Sequence, residues 1–228
     1  MIYLDRHEPS LGPKWLFLTL MTVAMVLAGW MMFARPEYAP SRFDRYLLEG
    51  DLFRRILVFA CLFIYFIRVA GTILVFVKRK LLWTESLIIS SIMPLVLLVF
   101  SRQGGSNPLS VGLVEVVGIL IYLLGSYFNT CSEYQRQRFK SDPANRGRLF
   151  TSGLFSLARH INYFGDVLLF SGLALVTGRP GTLMIPLVMT LNFIFVLIPR
   201  KEAYLKGKYG GQFLDYSGRT KKIIPYVY

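Results

Sequence analysis

Three polar stretches in an otherwise apolar chain hold the residues able to do chemistry. The most compact is Arg159-His160-Ile161-Asn162-Tyr163-Phe164-Gly165-Asp166, directly ahead of the apolar run Val167 to Val176. Arg159, Asn162 and Asp166 follow i, i+3, i+7 spacing, which lines one face of a helix. That face offers a guanidinium, an amide and a carboxylate, a set suited to a ligand that both donates and accepts hydrogen bonds. Arg159 can snorkel to an interface. Asn162 and Asp166 have no such escape, and polar groups at membrane depth turn towards a bundle interior or a wet cavity. Gly165 thins the helix so that a second backbone or a ligand can approach. The bland alternative is an Asn–Asp–Arg clamp between helices.

The second stretch runs from Asn129 to Phe155. Asn129, Glu133, Arg136 and Lys140 are spaced i, i+4, i+7, i+11 and share a helix face. Asp142-Pro143 breaks that helix, and Gly147 and Gly153 flank a short polar turn. A solvated helix end would look the same. The third stretch is the tail from Pro199 to Tyr228. Arg200, Tyr204 and Lys208 form an i, i+4, i+8 ladder, Glu202 points off it, and Tyr209-Gly210-Gly211 ends the helix. Phe213, Tyr216, Pro225, Tyr226 and Tyr228 supply apolar docking surface, so the tail is not expected to be disordered. It either lies on the membrane surface or folds back as the floor of a cytoplasmic pocket.

The elements that must position these groups are apolar. The chain has 228 residues, 54% of them hydrophobic. Six apolar stretches stand out: Trp15 to Ala34, Ile56 to Val77, Trp83 to Phe100, Val111 to Asn129, Leu154 to Val176 and Thr182 to Pro199. Backbone in hydrocarbon must be satisfied within its own segment, and the alternation of a barrel strand is missing. The expectation is an all-α, polytopic bundle of about six transmembrane helices, the first a retained anchor. Two membrane regions are expected, 1–108 and 109–228, the second holding the three polar stretches.

Cation placement sets the orientation. Residues 129–160 hold six Lys and Arg, the tail from Arg200 holds seven, and the turn between the last two segments has only Arg179. Both termini are therefore expected in the cytoplasm, with Lys78-Arg79-Lys80 inside and the 101–108 turn outside. The 35–55 loop conflicts with this, because it should lie outside yet carries Arg35, Arg42, Arg45, Arg54 and Arg55; a first segment that fails to span is the alternative. The net charge of +13 fits positive-inside bias and attraction to anionic lipid, or a basin for a phosphate-bearing cofactor. No reader pattern for nucleic acid is present. Cys61, Cys131, His7 and His160 have no metal-ligand spacing and the cysteines form no CxxC, so no metal and no disulfide are expected.

The segment "GLFSLARHINYFGDVLLFSGLAL" resembles the R-H-x-N-Y-x-G-[DE] signature of membrane sterol and steroid reductases, with Ile161 where that motif usually has Pro. "EYQRQRFKSDPANRGRLFTSGLF" and the tail "KEAYLKGKYGGQFLDYSGRTKKIIPYVY" are similar to the cofactor loop and closing segment of the bacterial steroid 5-alpha-reductase-like family. The resemblance covers roughly residues 110–228. It implies an NADPH pocket formed by the C-terminal half, opening to the cytoplasm of a bacterial inner-membrane, multi-pass protein. On that resemblance Asn129, Glu133 and Arg136 contact the nucleotide. Asn162 and Asp166 hold the nicotinamide carboxamide, and Arg159, Arg200 and Tyr204 face phosphates or ribose. The implied chemistry is hydride transfer to a conjugated C=C of a lipid-soluble, steroid-like or isoprenoid substrate entering from membrane lipid. Glu85, Tyr65 and Tyr122 are the implied catalytic candidates. Glu85 could equally be a helix N-terminal acid paired with Lys80. The isoprenylcysteine and phospholipid methyltransferases share a related motif, so an S-adenosylmethionine-dependent methyltransferase is the alternative.

Overall fold

The computed structural model describes residues 11–34, 46–76 and 83–228, apart from the side chains of Phe76 and Glu85. All regular elements among the described residues are helical. They are α1 (Leu11–Phe33), α2 (Leu52–Gly71), α3 (Trp83–Gly105), α4 (Leu113–Ser141), α5 (Ile161–Val176), α6 (Met184–Asn192), α7 (Ile198–Tyr209) and α8 (Gly211–Arg219). A π turn, Thr72–Phe76, extends α2, and another, Phe193–Leu197, joins α6 to α7.

Among the described residues, five stretches are long and apolar enough to cross a membrane: Leu11–Phe33, Leu52–Val75, Ser86–Gly105, Leu113–Ser141 and Pro180–Tyr209. The protein is a multi-pass membrane bundle. The expected fifth segment differs. Its helix, α5, has 16 residues and rises about 24 Å, short of the roughly 30 Å hydrocarbon core. It starts at Ile161 rather than Leu154 because Gly153–Ser156 forms a 3₁₀ turn, with Gly153 at φ 61°. The amides of Arg159 and His160 then donate to the Lys221 and Lys222 carbonyls, both at 2.8 Å. As the shared face of Asn129, Glu133, Arg136 and Lys140 predicts, α4 continues twelve residues past Asn129 to Ser141, whereas Pro199 sits in the first turn of α7 instead of ending a segment.

The chain divides into two compact units, 1–119 with 173–183, and 120–172 with 184–228. In the first, α1 packs chiefly on α3. Met21, Ala24, Ala28 and Met32 recur along one buried face of α1. Ser86 Oγ donates to the Pro13 carbonyl at 2.7 Å, a small polar contact typical of close helix packing in lipid. Asp51 caps α2 by accepting from the Arg54 amide at 2.8 Å.

Arg54 itself is buried. Its Nη1 donates to Glu115 Oε1 at 2.8 Å and to the Val176 carbonyl at 3.0 Å. Its Nε and Nη2 donate to the carbonyls of Leu109 and Ser110 at 3.1–3.2 Å. Glu115 Oε2 accepts from the Gly112 amide at 2.8 Å. One side chain thus fixes the 109–112 turn, the start of α4 and the end of α5. Arg55 Nη1 caps the end of α1, donating to the Met32 and Leu48 carbonyls at 2.7 and 2.9 Å. So two cations of the conflicting 35–55 loop have structural tasks, and the charge of Arg54 is neutralised by Glu115. Arg35, Arg42, Arg45 and Lys78-Arg79-Lys80 lie outside the described residues.

In the second unit α4 ends where Asp142-Pro143 starts a 3₁₀ turn, Asp142 Oδ1 accepting from the Ala144 amide at 2.9 Å. The tail folds back rather than trailing away. Tyr216 Oη donates to the Phe155 carbonyl at 2.5 Å. Gln212 accepts from the Leu149 amide at 3.0 Å and donates to the Gly147 carbonyl at 3.3 Å.

Candidate functional site

Two glycines let α4 and α5 touch. A Cβ on Gly165 would lie 2.5 Å from the Asn129 amide nitrogen and 2.8 Å from the Gly125 carbonyl. A Cβ on Gly125 would overlap the Leu169 amide and lie 2.6 Å from the Gly165 carbonyl. The group that approaches Gly165 is therefore the α4 backbone.

This crossing brings five of the expected residues together. Asn129 Nδ2 donates to Asp166 Oδ1 at 2.7 Å and to the Asn162 carbonyl at 3.2 Å. Asn162 Nδ2 donates to Glu133 Oε1 at 3.0 Å, and Glu133 Oε2 pairs with Arg136. Because the Glu133 carboxylate only accepts, it fixes the amide nitrogen of Asn162 on its side. Asn162 Oδ1 then points away, buried and without a partner. Buried acceptors are almost always satisfied, and this one has no partner among the described residues. Each member of the clamp alternative bonds to another element: Asn162 to Glu133, Asp166 to Asn129 and Arg159 to Glu202.

Arg159 is placed differently from the phosphate-facing role implied above. It is buried, and its Nε and Nη2 meet Glu202 Oε1 at 2.9 and 2.8 Å. Its Nη1 donates to the carbonyls of Ser217, at 3.0 Å, and Thr220. It holds α7 and the tail to the mouth of α5. His160 Nε2 reaches the same Glu202 oxygen at 3.2 Å, while His160 Nδ1 is buried without a partner among the described residues. Burial pushes the His160 imidazole down to about 4, against the pull of Glu202, and the neighbouring Lys201 and Arg159 also oppose its protonation. Its ring stacks on Tyr163 at 5.5 Å, Tyr163 stacks on Phe193 at 4.5 Å, and Lys201 Nζ lies 4.7 Å over Tyr163.

Sequence reasoning missed Glu202 and Lys201 because neither falls on the Arg200–Tyr204–Lys208 ladder. The one signal for Glu202 was a lone acid on a strongly basic helix. Of that ladder, Arg200 is exposed and Tyr204 Oη accepts from Lys208 Nζ at 3.1 Å. Among the catalytic candidates, Tyr65 lies on α2 in the first unit and donates to Met93 Sδ at 3.4 Å. Tyr122 is fully buried on α4 in the second unit. The side chain of Glu85 lies outside the described residues.

Beyond Glu133 the second unit carries an open hollow of about 560 Å³, bordered by Gln135, Arg138, Phe139, Asp142, Asn145 and Phe150. The rings of Phe139 and Phe150 sit 5.0 Å apart. Apolar ring faces with an adjacent guanidinium suit a flat, anionic ligand.

A family described as "Protein of unknown function (DUF1295)" matches residues 78–220. A Delta(14)-sterol reductase of Schizosaccharomyces pombe is 33% identical over 146 residues, covering 56% of this chain and 34% of that protein. The Delta(14)-sterol reductase of Saccharomyces cerevisiae is 32% identical over 152 residues, covering 60% and 34%. Protein-S-isoprenylcysteine O-methyltransferase B of Arabidopsis thaliana is 29% identical over 80 residues, covering 35% and 41%. The chain spans about a third of the length of the sterol reductases it matches.

Proposed function

The chain belongs to the DUF1295 family, a steroid 5-alpha-reductase-like family, and from that membership we propose an NADPH-dependent membrane reductase. Its substrate is a lipid-soluble, steroid-like or isoprenoid molecule with a conjugated C=C. The observation that carries the reading is Asn162 Oδ1, a buried acceptor without a partner beside Asn129, Glu133 and Asp166. An acceptor flanked by carboxylates suits the amide donors of a carboxamide, and the cations of the α4 extension suit phosphates.

NADPH, when bound, supplies the hydride. Asn162 and Asp166 hold its carboxamide end, with Asn129 and Glu133 fixing their orientation. Arg136 and Arg138, with Arg200 and Tyr204 on α7, take phosphates and ribose; Arg suits these because its charge is permanent and its donors are forked. Arg159 acts one step behind, keeping the tail closed over the mouth of α5. A proton must reach the second carbon of the reduced bond, and an enone needs a donor on its oxygen as charge develops there. Glu85, Tyr65 and Tyr122 are the proposed acids. Residues 109–228 form the cofactor region, facing the cytoplasm of a bacterial inner membrane, and 1–108 the substrate side.

The match to a methyltransferase favours one second reading. S-adenosylmethionine is a cation without phosphate and has less use for the arginines of 136–148. Titration of the purified full chain in detergent with NADPH, NADH and S-adenosylmethionine separates the two. NADPH is expected to bind most tightly, because its 2′-phosphate adds a contact with one of those arginines. Binding of S-adenosylmethionine with none of NADPH would establish the methyltransferase reading instead.

A further inference from the structure

The turn after α8 borders a second hollow, whose lining does not include Asn162. It encloses about 330 Å³, and its border includes Arg159, Arg219, Lys221, Lys222 and Tyr228 but no Asp or Glu side chain. Arg159 is taken up by Glu202, which leaves Arg219, Lys221 and Lys222 as the other cations on the border, with Lys222 Nζ 5.4 Å over the Tyr228 ring. Carbonyls that would repel an anion are already occupied. Those of Ser217 and Thr220 accept from Arg159 Nη1, and those of Lys221 and Lys222 accept from the Arg159 and His160 amides. Beside the cations the chain reverses tightly, with the Ile223 and Ile224 amides donating to the Tyr228 backbone oxygen at 2.7 and 2.8 Å, and Tyr226 at φ 64°. The reversal leaves Tyr226 79% and Val227 70% exposed. Three cations around a protruding apolar tip form an amphiphilic surface on a protein that already sits in a bilayer.

We propose that this hollow seats the phosphate of an anionic phospholipid, with Tyr226 and Val227 inserted among its acyl chains. Anionic headgroups attract basic residues near the membrane surface, and a small apolar tip anchors at the headgroup–acyl boundary. The proposal is independent of the reductase reading.

Native mass spectrometry of the delipidated full chain, titrated with dioleoyl phosphatidylglycerol or dioleoyl phosphatidylcholine, tests it. Phosphatidylglycerol should be retained in preference to phosphatidylcholine. The Lys221→Gln/Lys222→Gln variant should bind it at least ~10-fold more weakly, while Lys221→Arg/Lys222→Arg binds as wild type. Val227→Ser should also weaken lipid binding, which a site for free phosphate would not show. Melting curves confirm that each variant is folded. Unchanged binding by the Gln variant, no preference over phosphatidylcholine, or displacement of the lipid by inorganic phosphate or NADPH would each overturn the proposal.

Discussion

His160 is fully buried, and its neighbours disfavour its charged form. Glu202 alone pulls the other way, and burial, with Lys201 and Arg159, outweighs it. The folded imidazole titrates at about 4, and in the unfolded chain at about 6.5. Between those values the unfolded state binds the extra proton, so stability rises with pH. The contribution is complete above pH ~6.5 and is lost as pH falls towards 4. Thermal midpoints in detergent should therefore fall from pH 7 to pH 5, and His160→Gln should remove that part of the slope. Parallel profiles for the two proteins would contradict the assignment. At this scale the polar face of α5 was legible because Asn162 and Asp166 are local and periodic. The bond from Arg159 to Glu202 joins residues 43 positions apart, and no local period announces such a pair.

At the scale of elements, the crossing of α4 and α5 depends on backbone contact at Gly125 and Gly165. Gly165→Val must push the helices apart, because the obstructing atoms are main chain. Overpacking of this kind costs ~1–3 kcal/mol or more, and it should separate Asn129 from Asp166. The check is a lower melting temperature together with weaker NADPH binding; a variant as stable as wild type would mean the helices are not in contact.

In the other unit, Arg54→Met strands Glu115 in a buried site and should cost ~3–5 kcal/mol, whereas Arg54→Met/Glu115→Leu removes both charges and should recover much of the loss. Denaturant titration of the two variants measures the difference; equal losses would mean the pair is solvated. Positions of the apolar segments were legible from hydropathy. The late start of α5 was not, because it depends on Lys221 and Lys222, more than 60 residues downstream, capturing the Arg159 and His160 amides. Nor did a count of loop cations reveal that Arg54 and Arg55 serve as internal donors.

For the whole molecule, the cation asymmetry of the last two segments predicts Arg179 and Lys221 on opposite membrane faces. Cysteines introduced beside each should label from opposite sides of sealed vesicles; labelling from one side would contradict the topology. The central claim is that the polar mouth of α5 is a cofactor floor set into the membrane bundle, and Asp166 tests it most directly. Asp166→Asn can keep an oxygen towards Asn129 Nδ2, so the link between α4 and α5 survives. What it loses is the charge and one acceptor. A charge-assisted hydrogen bond to a ligand is worth ~1.5–3 kcal/mol, and each ~1.4 kcal/mol is tenfold in affinity. Calorimetric titration of NADPH into wild type and Asp166→Asn, paired with melting curves, should show binding at least ~10-fold weaker at nearly unchanged stability. Unchanged NADPH affinity in a destabilised variant would make Asp166 a helix clamp and contradict the claim.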